Sequence, residues 1–296
     1  MILDRSLSSK LLDIVVHVAM VLVLIATIYP VLYVLSASLS SPTAYNLGKV
    51  SIVPVDVTLK AYRLIWNAGT VPRSFLNSVV YTTLGTAISM LLTTSLAYAL
   101  SRKRLTLRRF YMVFVLITMY FNGGIIANFL LIKNLGLYNS LWAIVLPTAV
   151  STYYLIIMRS YFQAIPEELN ESAYLDGAND LVIFLRITLP LSMAALVTIG
   201  LFYAVNYWNA WFSSLLYLKD TNKYPLQMVL RQIIIRSELL MQSIKAGEAS
   251  ASEMATTDVT SIKYATLFVS IGPMMMLYPF IQKYFVKGVM IGSLKG

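Results

Sequence analysis

The stretch SFLNSVVYTTLGTAISMLLTTSLAYAL, residues 74–100, decides the class of fold. It carries no charged side chain, and at about 1.5 Å per residue a helix of this length crosses a hydrocarbon core of about 30 Å. Helices of soluble proteins keep a polar face toward water, and this stretch has none with charge. Its Ser, Thr and Gly residues suit close contact between helices in lipid. The stretch therefore predicts a transmembrane helix inside a helical bundle.

The composition of the whole chain agrees with a membrane protein. Of its 296 residues, 58% are hydrophobic and 12% are charged, whereas soluble domains average about 45–50% apolar and about 25% charged. The net charge of +10 does not indicate nucleic-acid binding, because the basic residues stand between long apolar runs. With no cysteine and the single histidine His17, thiol chemistry and histidine-based metal or triad sites have almost no side chains to use.

Cutting the sequence at its charged residues leaves six long uncharged stretches. They are 14–48, 74–101, 110–132, 134–158, 187–218 and 264–282. Each supplies about 20 apolar residues, enough to cross a bilayer. The first and fifth are longer, so their helices are placed near 14–39 and 191–218. The first is also too long for the apolar core of a signal peptide. The sequence thus predicts an all-α, polytopic membrane bundle of six transmembrane helices, forming a single domain over 1–296.

The density of basic residues predicts the orientation of this bundle. The segment RKRLTLRR, residues 102–109, has five cations in eight residues directly between two predicted spans. Cytoplasmic loops carry an excess of Lys and Arg, so this loop is predicted to be cytoplasmic. By alternation both termini are then cytoplasmic, and residues 219–263 form a long extracytoplasmic loop.

The predicted spans contain no Asp, Glu, Lys or Arg. Ion-coupled transporters, proton relays and voltage sensors carry such groups at membrane depth, and compact secondary carriers contain internal repeats, which we do not find here. Gly48-Lys49 lacks the preceding Gly of a nucleotide-binding P-loop. Uphill transport would therefore need energy from a partner. The scarcity of intramembrane acids, His and Cys disfavours an integral-membrane enzyme, while a receptor or scaffold stays an open alternative.

The loop between the fourth and fifth spans, residues 163–190, is unusual in its acidity. Residues 167–180 hold five of the thirteen acids of the chain and no base. Pro166 and the acids after it are typical of a helix N-terminus, and Gly177 is typical of a C-terminus. A helix over 166–176 is predicted, followed by a second helix that stops at Pro190. This pair is either a solvated hairpin on the membrane surface or a docking element, and an anionic membrane would repel its acids.

The same loop resembles the EAA signature of binding-protein-dependent ABC importer permeases. Glu171-Ser172-Ala173, Gly177 and Ile187-x-Leu189-Pro190 stand at the spacing of the signature, with Ser172 in place of the usual Ala. In that family the first short helix is a coupling helix that sits in a cleft of the cytoplasmic ATPase. The resemblance implies a coupling role for Glu167, Glu168, Glu171, Ala173, Asp176, Gly177 and Ala178.

The resemblance extends over nearly the whole chain, with a core transport region at about 74–290. The segments YFNGGIIANFLLIKNLGLYNSLWAIVLP, YWNAWF and YFVKGVMIGSLKG resemble the carbohydrate-uptake branch, in the type of the maltose importer's shorter permease. They are most similar to the subgroup that serves oligosaccharides from polysaccharide breakdown, although Ala127 stands where that subgroup often has Pro. An acidic oligosaccharide such as an alginate fragment is therefore a candidate substrate.

The family also implies a place and partners for the chain. It would work by alternating access in the bacterial cytoplasmic (inner) membrane, surrounded by the lipid bilayer, with a homologous second permease and two copies of an ABC ATPase. An extracytoplasmic solute-binding protein would deliver the sugar to the loop at 219–263. ATP and Mg would belong to the ATPase, so neither a cofactor nor a catalytic residue is expected on this chain, and no nucleic acid.

A polar and aromatic cluster in the fifth span is a candidate lining of the substrate path. It comprises Asn206, Tyr207, Trp208, Asn209 and Trp211. Amides at membrane depth are costly unless they face a polar cavity or another helix, so hydrogen bonding between helices is the alternative to pore lining. The same two interpretations apply to Asn122 and Asn128, which flank a Gly-Gly pair in the third span.

Overall fold

The computed structural model describes residues 7–245 and 259–293, and in this part of the chain it contains helices and no strand. The all-α prediction is confirmed. The first helices are α1 Leu7–Leu39, α2 Pro42–Asn46, α3 Lys60–Asn67, α4 Thr70–Ser101, α5 Arg108–Tyr120, α6 Gly124–Asn134, α7 Trp142–Val145 and α8 Thr152–Gln163. They are followed by α9 Glu167–Leu175, α10 Asp180–Ile183, α11 Leu189–Leu191, α12 Met193–Trp208, α13 Trp211–Tyr217, α14 Leu226–Lys245 and α15 Val259–Ser293.

The chain divides into two compact units. The first comprises residues 1–69 and 232–271, and the second comprises 70–231 and 272–296. The first unit contains a contact between the hydroxyls of Tyr45 and Tyr264, 3.0 Å apart. The single-domain description stays a prediction. Residues 1–6, 246–258 and 294–296 lie outside the described part, so the positions of the two chain ends and the middle of the predicted extracytoplasmic loop also stay predictions.

Among the described residues, two unbroken helices are long and apolar enough to cross a membrane, Lys10–Leu39 and Thr70–Ser101. Three bent pairs meet the same test when each is counted as one span: Arg108–Tyr120 with Gly124–Asn134, Trp142–Thr148 with Thr152–Gln163, and Asp180–Leu191 with Met193–Trp208. These five correspond to the first five predicted spans. The sixth, 264–282, falls within α15.

Spans three to five are each broken by a bend, of 114°, 52° and 84°, respectively. In the third, Gly124 has a left-handed φ of +78° and its N–H donates to Asn122 Oδ1 at 2.9 Å, which ends the α5 helical ladder. Gly adopts this conformation at little cost. In the fourth, Pro147 removes a backbone donor just before the bend. A polar residue or proline beside a bend thus marks each break.

The second helix of the acidic loop ends at Leu191, one residue after Pro190, close to the end that the sequence predicted. Helical structure runs from Asp180 to Leu191, through a π-helical segment at Phe184–Thr188, and the 84° bend follows at Ser192. Proline clashes with the preceding turn of an α-helix, and a π-bulge widens that turn. The helix therefore accommodates Pro190 and bends two residues later.

The described residues of the segment predicted as a loop over 219–263 are largely helical, since α14 occupies Leu226–Lys245 and α15 begins at Val259. Buried Leu226, Val229 and Leu230 follow the spacing of one helix face, whereas Arg231 and Glu238 are exposed seven residues apart. Such a pattern is that of an amphipathic helix. The prediction of a loop was wrong for α14 because it considered the number of charged residues in the segment and not their helical spacing.

The core of the second unit forms where α4 packs against α12 and α8. The buried face of α4 repeats every three or four residues and consists mainly of small side chains: Ser74, Ser78, Tyr81, Gly85, Ser89, Thr93 and Ala97. Ser89 and Thr93 hydrogen-bond the hydroxyls of Tyr207 and Tyr203 on α12, at 2.9 Å and 2.7 Å. The expectation that the Ser, Thr and Gly residues of 74–100 serve close helix contact is confirmed.

Candidate coupling surface and polar cavity

Helix α9 begins as its sequence dictates. Pro166 occupies the N-cap with extended backbone angles (φ −54°, ψ 135°), and Glu167 and Glu168 form the first turn. Acidic side chains in the first turn complement the positive end of the helix dipole. The predicted helix over 166–176 is therefore confirmed, with bounds of Glu167–Leu175.

The end of α9 is a Schellman turn built on Gly177. The N–H of Ala178 donates to the carbonyl of Ala173 at 2.9 Å, and the N–H of Gly177 donates to the carbonyl of Tyr174 at 3.0 Å. Gly177 has a φ of +81°, the left-handed conformation that this turn requires. The turn satisfies two carbonyls at the helix end and sets the direction of the chain toward Asp180.

Two ion pairs connect the basic loop after α4 to the acidic loop. Lys103 Nζ lies 2.5 Å from Glu167 Oε2, and Arg104 lies 3.3 Å from Asp180 Oδ1. The Arg104 guanidinium also stacks 4.3 Å from the centre of the Tyr174 ring, and the Tyr174 hydroxyl donates to Asp180 Oδ1 at 2.5 Å. The basic and acidic segments that the sequence singled out are thus in direct contact.

The first of these pairs stays ionised over a wide pH range. Hydrogen bonding to Lys103, and its charge, lower the pKa of Glu167, while hydrogen bonding to Glu167 raises the pKa of Lys103. Both groups therefore remain charged between their ordinary pKa values of 4.5 and 10.5. The side chains are 74% and 51% exposed, so water screens the attraction and the pair orients the loops more than it stabilises them.

The outer surface of α9 combines acids with one prominent apolar side chain. Leu175 is 90% exposed, and the other exposed residues from 166 to 180 are Pro166, Glu167, Glu168, Leu169, Glu171, Ser172, Asp176, Gly177, Asn179 and Asp180. Ala173 is buried on the inner side and Ala178 is half-buried. An exposed leucine is unremarkable alone, but here it stands on a short helix fixed by a Schellman turn and two ion pairs. We call α9 and its turn, residues 166–180, the coupling surface.

A polar cavity of about 490 Å³ lies where α12 gives way to α13. Asn206, Tyr207, Asn209 and Trp211 line it, which brings four of the predicted pathway residues together. The α12 helix ends at Trp208, and the Asn209 amide donates to the carbonyl of Val205 at 3.0 Å. The predicted helix over 191–218 is therefore interrupted at 209–210, and the interruption opens the cavity.

The remaining predicted pathway residues lie elsewhere. Trp208 is buried and packs edge-on against Phe75, with ring centres 5.9 Å apart. Asn122 and Asn128 lie at the bend between α5 and α6, with Asn128 Nδ2 3.4 Å from Asn122 Oδ1. They are absent from the lining of the cavity. Asn206 combines both interpretations that the sequence left open, because it lines the cavity and also donates to the Tyr154 hydroxyl at 3.2 Å.

Sequence reasoning missed the other polar residues of the cavity, Thr148, Ser151, Tyr203 and Ser213. Tyr203 is the central one, since its hydroxyl accepts the N–H of Ser151 at 2.9 Å. Its spacing from Asn206 and Tyr207, three and four residues, places it on the same face of α12 and was the available signal. In the described part of the chain, no group of three His, Cys, Asp or Glu residues could hold a metal.

Two relatives from Bacillus subtilis (strain 168) match almost the full chain. The polygalacturonan/rhamnogalacturonan transport system permease protein YtcP is 41% identical, covering 98% of this chain and 100% of the relative. The protein LplC is 39% identical, covering 91% of this chain and 90% of the relative.

A solved structure has the same fold. It is a chain from the crystal structure of a bacterial ABC transporter involved in the import of the acidic polysaccharide alginate, with a TM-score of 0.84 and 32% identity. The similarity covers 95% of this chain and 99% of that chain. Residues 85–291 match the family described as the binding-protein-dependent transport system inner membrane component. The chain belongs to this family, and it is a membrane transport permease, not a catalytic enzyme.

Proposed function

We propose that this permease is one of two homologous transmembrane subunits of an ATP-driven importer, and that its cargo is an oligosaccharide from the breakdown of an acidic polysaccharide. The observation that carries this proposal is the full-length similarity to YtcP, at 41% identity, together with the fold shared with a chain of the alginate importer. A galacturonan and alginate are both polymers of acidic sugars. A fragment of such a polymer is therefore the substrate class that the similarity favours.

The coupling surface is the proposed contact with one of the two copies of a cytoplasmic ABC ATPase, and the homologous second permease would contact the other copy. Its acids and the exposed Leu175 offer charge and one apolar anchor, and the ion pairs to Lys103 and Arg104 connect it to the end of α4. Movement of the ATPase against α9 would thus reach a helix that lies in the core of the second unit. ATP and Mg would be held by the ATPase and not by this chain.

The polar cavity is the proposed part of the substrate path in this subunit. Hydroxyl, amide and aromatic side chains line it together with a few aliphatic ones, and no charged side chain does. Such groups can hydrogen-bond sugar hydroxyls and stack against sugar rings without fixing a carboxylate. A homologous subunit would complete the path, and a solute-binding protein would deliver the sugar to the opposite face, near α14. Both termini would be cytoplasmic.

Uptake by the reconstituted complex tests this function. Proteoliposomes that contain the permease, its partner permease, the ATPase and the binding protein should accumulate uronic-acid oligosaccharides when ATP is supplied on the ATPase side. Replacing Glu171 with Lys inverts an exposed charge of the coupling surface and should abolish uptake while ATP hydrolysis loses its dependence on the loaded binding protein. Asp13→Lys, a reversal of an exposed acid on α1, is the control for folding and should leave hydrolysis and uptake coupled.

Three results would contradict parts of the proposal. ATP-independent uptake would exclude an ATP-driven importer. Normal coupling in the Glu171→Lys variant would remove the proposed role of α9, and accumulation of neutral sugars only would remove the acidic substrate class.

A further inference from the structure

A second, basic cavity lies at the start of α5, apart from the polar cavity. Its volume is about 810 Å³, and it is lined by Leu107, Arg108, Arg109, Met112, Val113 and Arg159. Three of these residues are arginines, three are apolar, and none is acidic. A cavity that combines guanidinium groups with apolar walls fits an amphiphilic anion better than a fully hydrated one.

The arginines of this cavity form no ion pair with the described residues. With its amide oriented to satisfy both, the Gln163 side-chain oxygen accepts hydrogen bonds from Arg108 and, at 3.2 Å, from Arg159. Two cations therefore converge on one neutral acceptor. Within residues 7–245 and 259–293, no carboxylate lies within 4.0 Å of Arg108, Arg109 or Arg159. Like charges this close repel unless an anion lies between them.

Each arginine has donors available to such an anion. Arg159 uses Nε to donate to the carbonyl of Leu100 at 3.1 Å, which fixes its side chain between α8 and the end of α4. Arg109 is exposed and makes no hydrogen bond or ion pair in the described part of the chain. A phosphate oxygen can accept two donors from one guanidinium, so three such groups can surround a single phosphate.

An exposed apolar stripe continues from this cavity along α5. Phe110, Val113, Phe114 and Ile117 are all exposed and follow the three- and four-residue spacing of one helix face. Val113 belongs both to the stripe and to the cavity wall. Because α5 is the first half of a bent membrane span, the arginines lie at the membrane boundary and the stripe extends into the hydrocarbon region.

We propose that Arg108, Arg109 and Arg159 bind the phosphate of an anionic phospholipid, whose acyl chains lie along the stripe of α5. Basic pockets beside transmembrane helices bind anionic lipid head groups in this way. The bound lipid would neutralise the converging guanidiniums and attach the start of α5 to the bilayer. The adjoining loop, 102–107, carries the two cations that pair with the coupling surface, so the lipid would also steady that contact.

Retention of lipid by the purified complex tests this inference without reference to transport. The complete importer is reconstituted with phosphatidylglycerol or phosphatidylcholine, delipidated with mild detergent, and examined by native mass spectrometry. We expect the wild-type complex to retain phosphatidylglycerol in preference to phosphatidylcholine. Each cation near a membrane surface contributes about a five-fold change in affinity, so the Arg108→Gln/Arg159→Gln variant should bind about thirty-fold more weakly.

Two further variants guard against a folding artefact. Arg109→Gln changes an exposed side chain that makes no hydrogen bond or ion pair with the described residues, and it should reduce retention about five-fold. Lys133→Gln/Lys219→Gln also removes two exposed cations, but outside the cavity, and should retain lipid as the wild type does.

Three outcomes would overturn the proposal. Equal retention by the wild type and by all variants would place the lipid elsewhere. Displacement of phosphatidylglycerol by inorganic phosphate would assign the cavity to a free anion. Absence of retained lipid in the wild-type complex would indicate that a partner subunit covers the arginines.

Discussion

The proposed coupling role of Gly177 depends on its backbone conformation. Its φ of +81° lies in the left-handed region, and no atom comes within 4 Å of the position that a β-carbon would occupy. A side chain at position 177 would therefore be unfavourable because of the backbone conformation and not because of crowding by neighbouring atoms. A β-branched side chain suffers most in this conformation, while Asn tolerates it.

We predict that Gly177→Val disturbs the Schellman turn and uncouples ATP hydrolysis from uptake, with a local cost of about 1–2 kcal/mol or more. Gly177→Asn should retain coupling. The matched control is Gly136→Val, which meets the same strain (φ +69°, no neighbour within 4 Å) away from the coupling surface and should stay coupled. ATPase and uptake assays on the same reconstituted complex measure the rates of ATP hydrolysis and of sugar transport for each variant. Normal coupling in Gly177→Val would contradict the role of the turn.

At the residue scale, the sequence predicted local features better than contacts between distant residues. The helix start at Pro166 and its end at Gly177 depend on backbone preferences that neighbouring residues reveal. The bond between Thr93 and Tyr203 joins residues 110 positions apart, and no local preference encodes it. Tyr207 seemed a pathway residue from its polar neighbours, yet its hydroxyl also bonds Ser89 and the carbonyl of Val145 in the core.

At the scale of elements, the contact between α4 and α12 depends on one glycine. A β-carbon on Gly85 would come within 2.8 Å of the Tyr207 ring. That ring is buried, and its hydroxyl lies 2.9 Å from Ser89 Oγ and 3.1 Å from the carbonyl oxygen of Val145. The ring therefore cannot move aside without breaking hydrogen bonds.

We predict that Gly85→Ala lowers the free energy of unfolding by about 1–3 kcal/mol through overpacking. Gly200→Ala on α12 is the matched control, because its β-carbon would lie 3.8 Å from Met90 Sδ, an ordinary contact. Its stability should be unchanged or slightly raised, since Ala favours a helix over Gly by about 0.5–1 kcal/mol. Thermal unfolding of the purified permease compares the two. Equal melting temperatures of the two variants would contradict the prediction that the contact between α4 and α12 requires a glycine at position 85.

The elements themselves could be predicted from apolar runs, but their bends could not. Length and hydropathy identify a segment that can cross a membrane, but they do not show whether the helix bends within that segment. Gly124, Pro147 and Pro190 are visible in the sequence as helix breakers, and each stands within two residues of a break. Pro30, however, lies inside the unbroken helix α1, so a breaker in the sequence does not by itself predict a bend.

At the scale of the whole molecule, the orientation in the membrane is the first prediction to test. The chain has no cysteine, so single cysteines can be introduced at the exposed positions Thr106, Leu175 and Glu238. An impermeant maleimide applied to intact cells should label only position 238, and positions 106 and 175 only after permeabilisation. Thermal unfolding of each purified variant checks that it is folded. Labelling of position 106 from outside would reverse the predicted topology.

The sequence and structure of this one subunit do not specify which sugar is imported, because other subunits contribute to that selectivity. The sequence predicted amides and aromatic residues at the break after α12, and Asn206, Asn209 and Trp211 do line the cavity there. It could not predict the remainder of the path, because a second permease would form the other wall. The part of the wall that this subunit forms has no charged side chain. This subunit can therefore select only weakly between charged and neutral sugars.

We therefore predict that the binding protein, and not this permease, sets the charge of the sugar that is imported. If the cleft of the cognate binding protein is redesigned for a neutral oligosaccharide while its docking surface is kept, the complex should import that sugar at a comparable rate. Because no charged side chain lines the cavity, uptake of acidic and neutral sugars should respond alike to ionic strength once docking is saturated.

The variant Asn206→Lys sharpens this test by placing one cation in the cavity. It should favour acidic over neutral sugars delivered by the two binding proteins, because a charge in a partly enclosed site attracts a carboxylate more strongly than one in open water. Competitive uptake of the two sugars by wild type and variant measures the preference. If the wild-type complex refuses every neutral sugar that its binding protein delivers, the permease itself filters by charge and the neutral-pore interpretation is wrong.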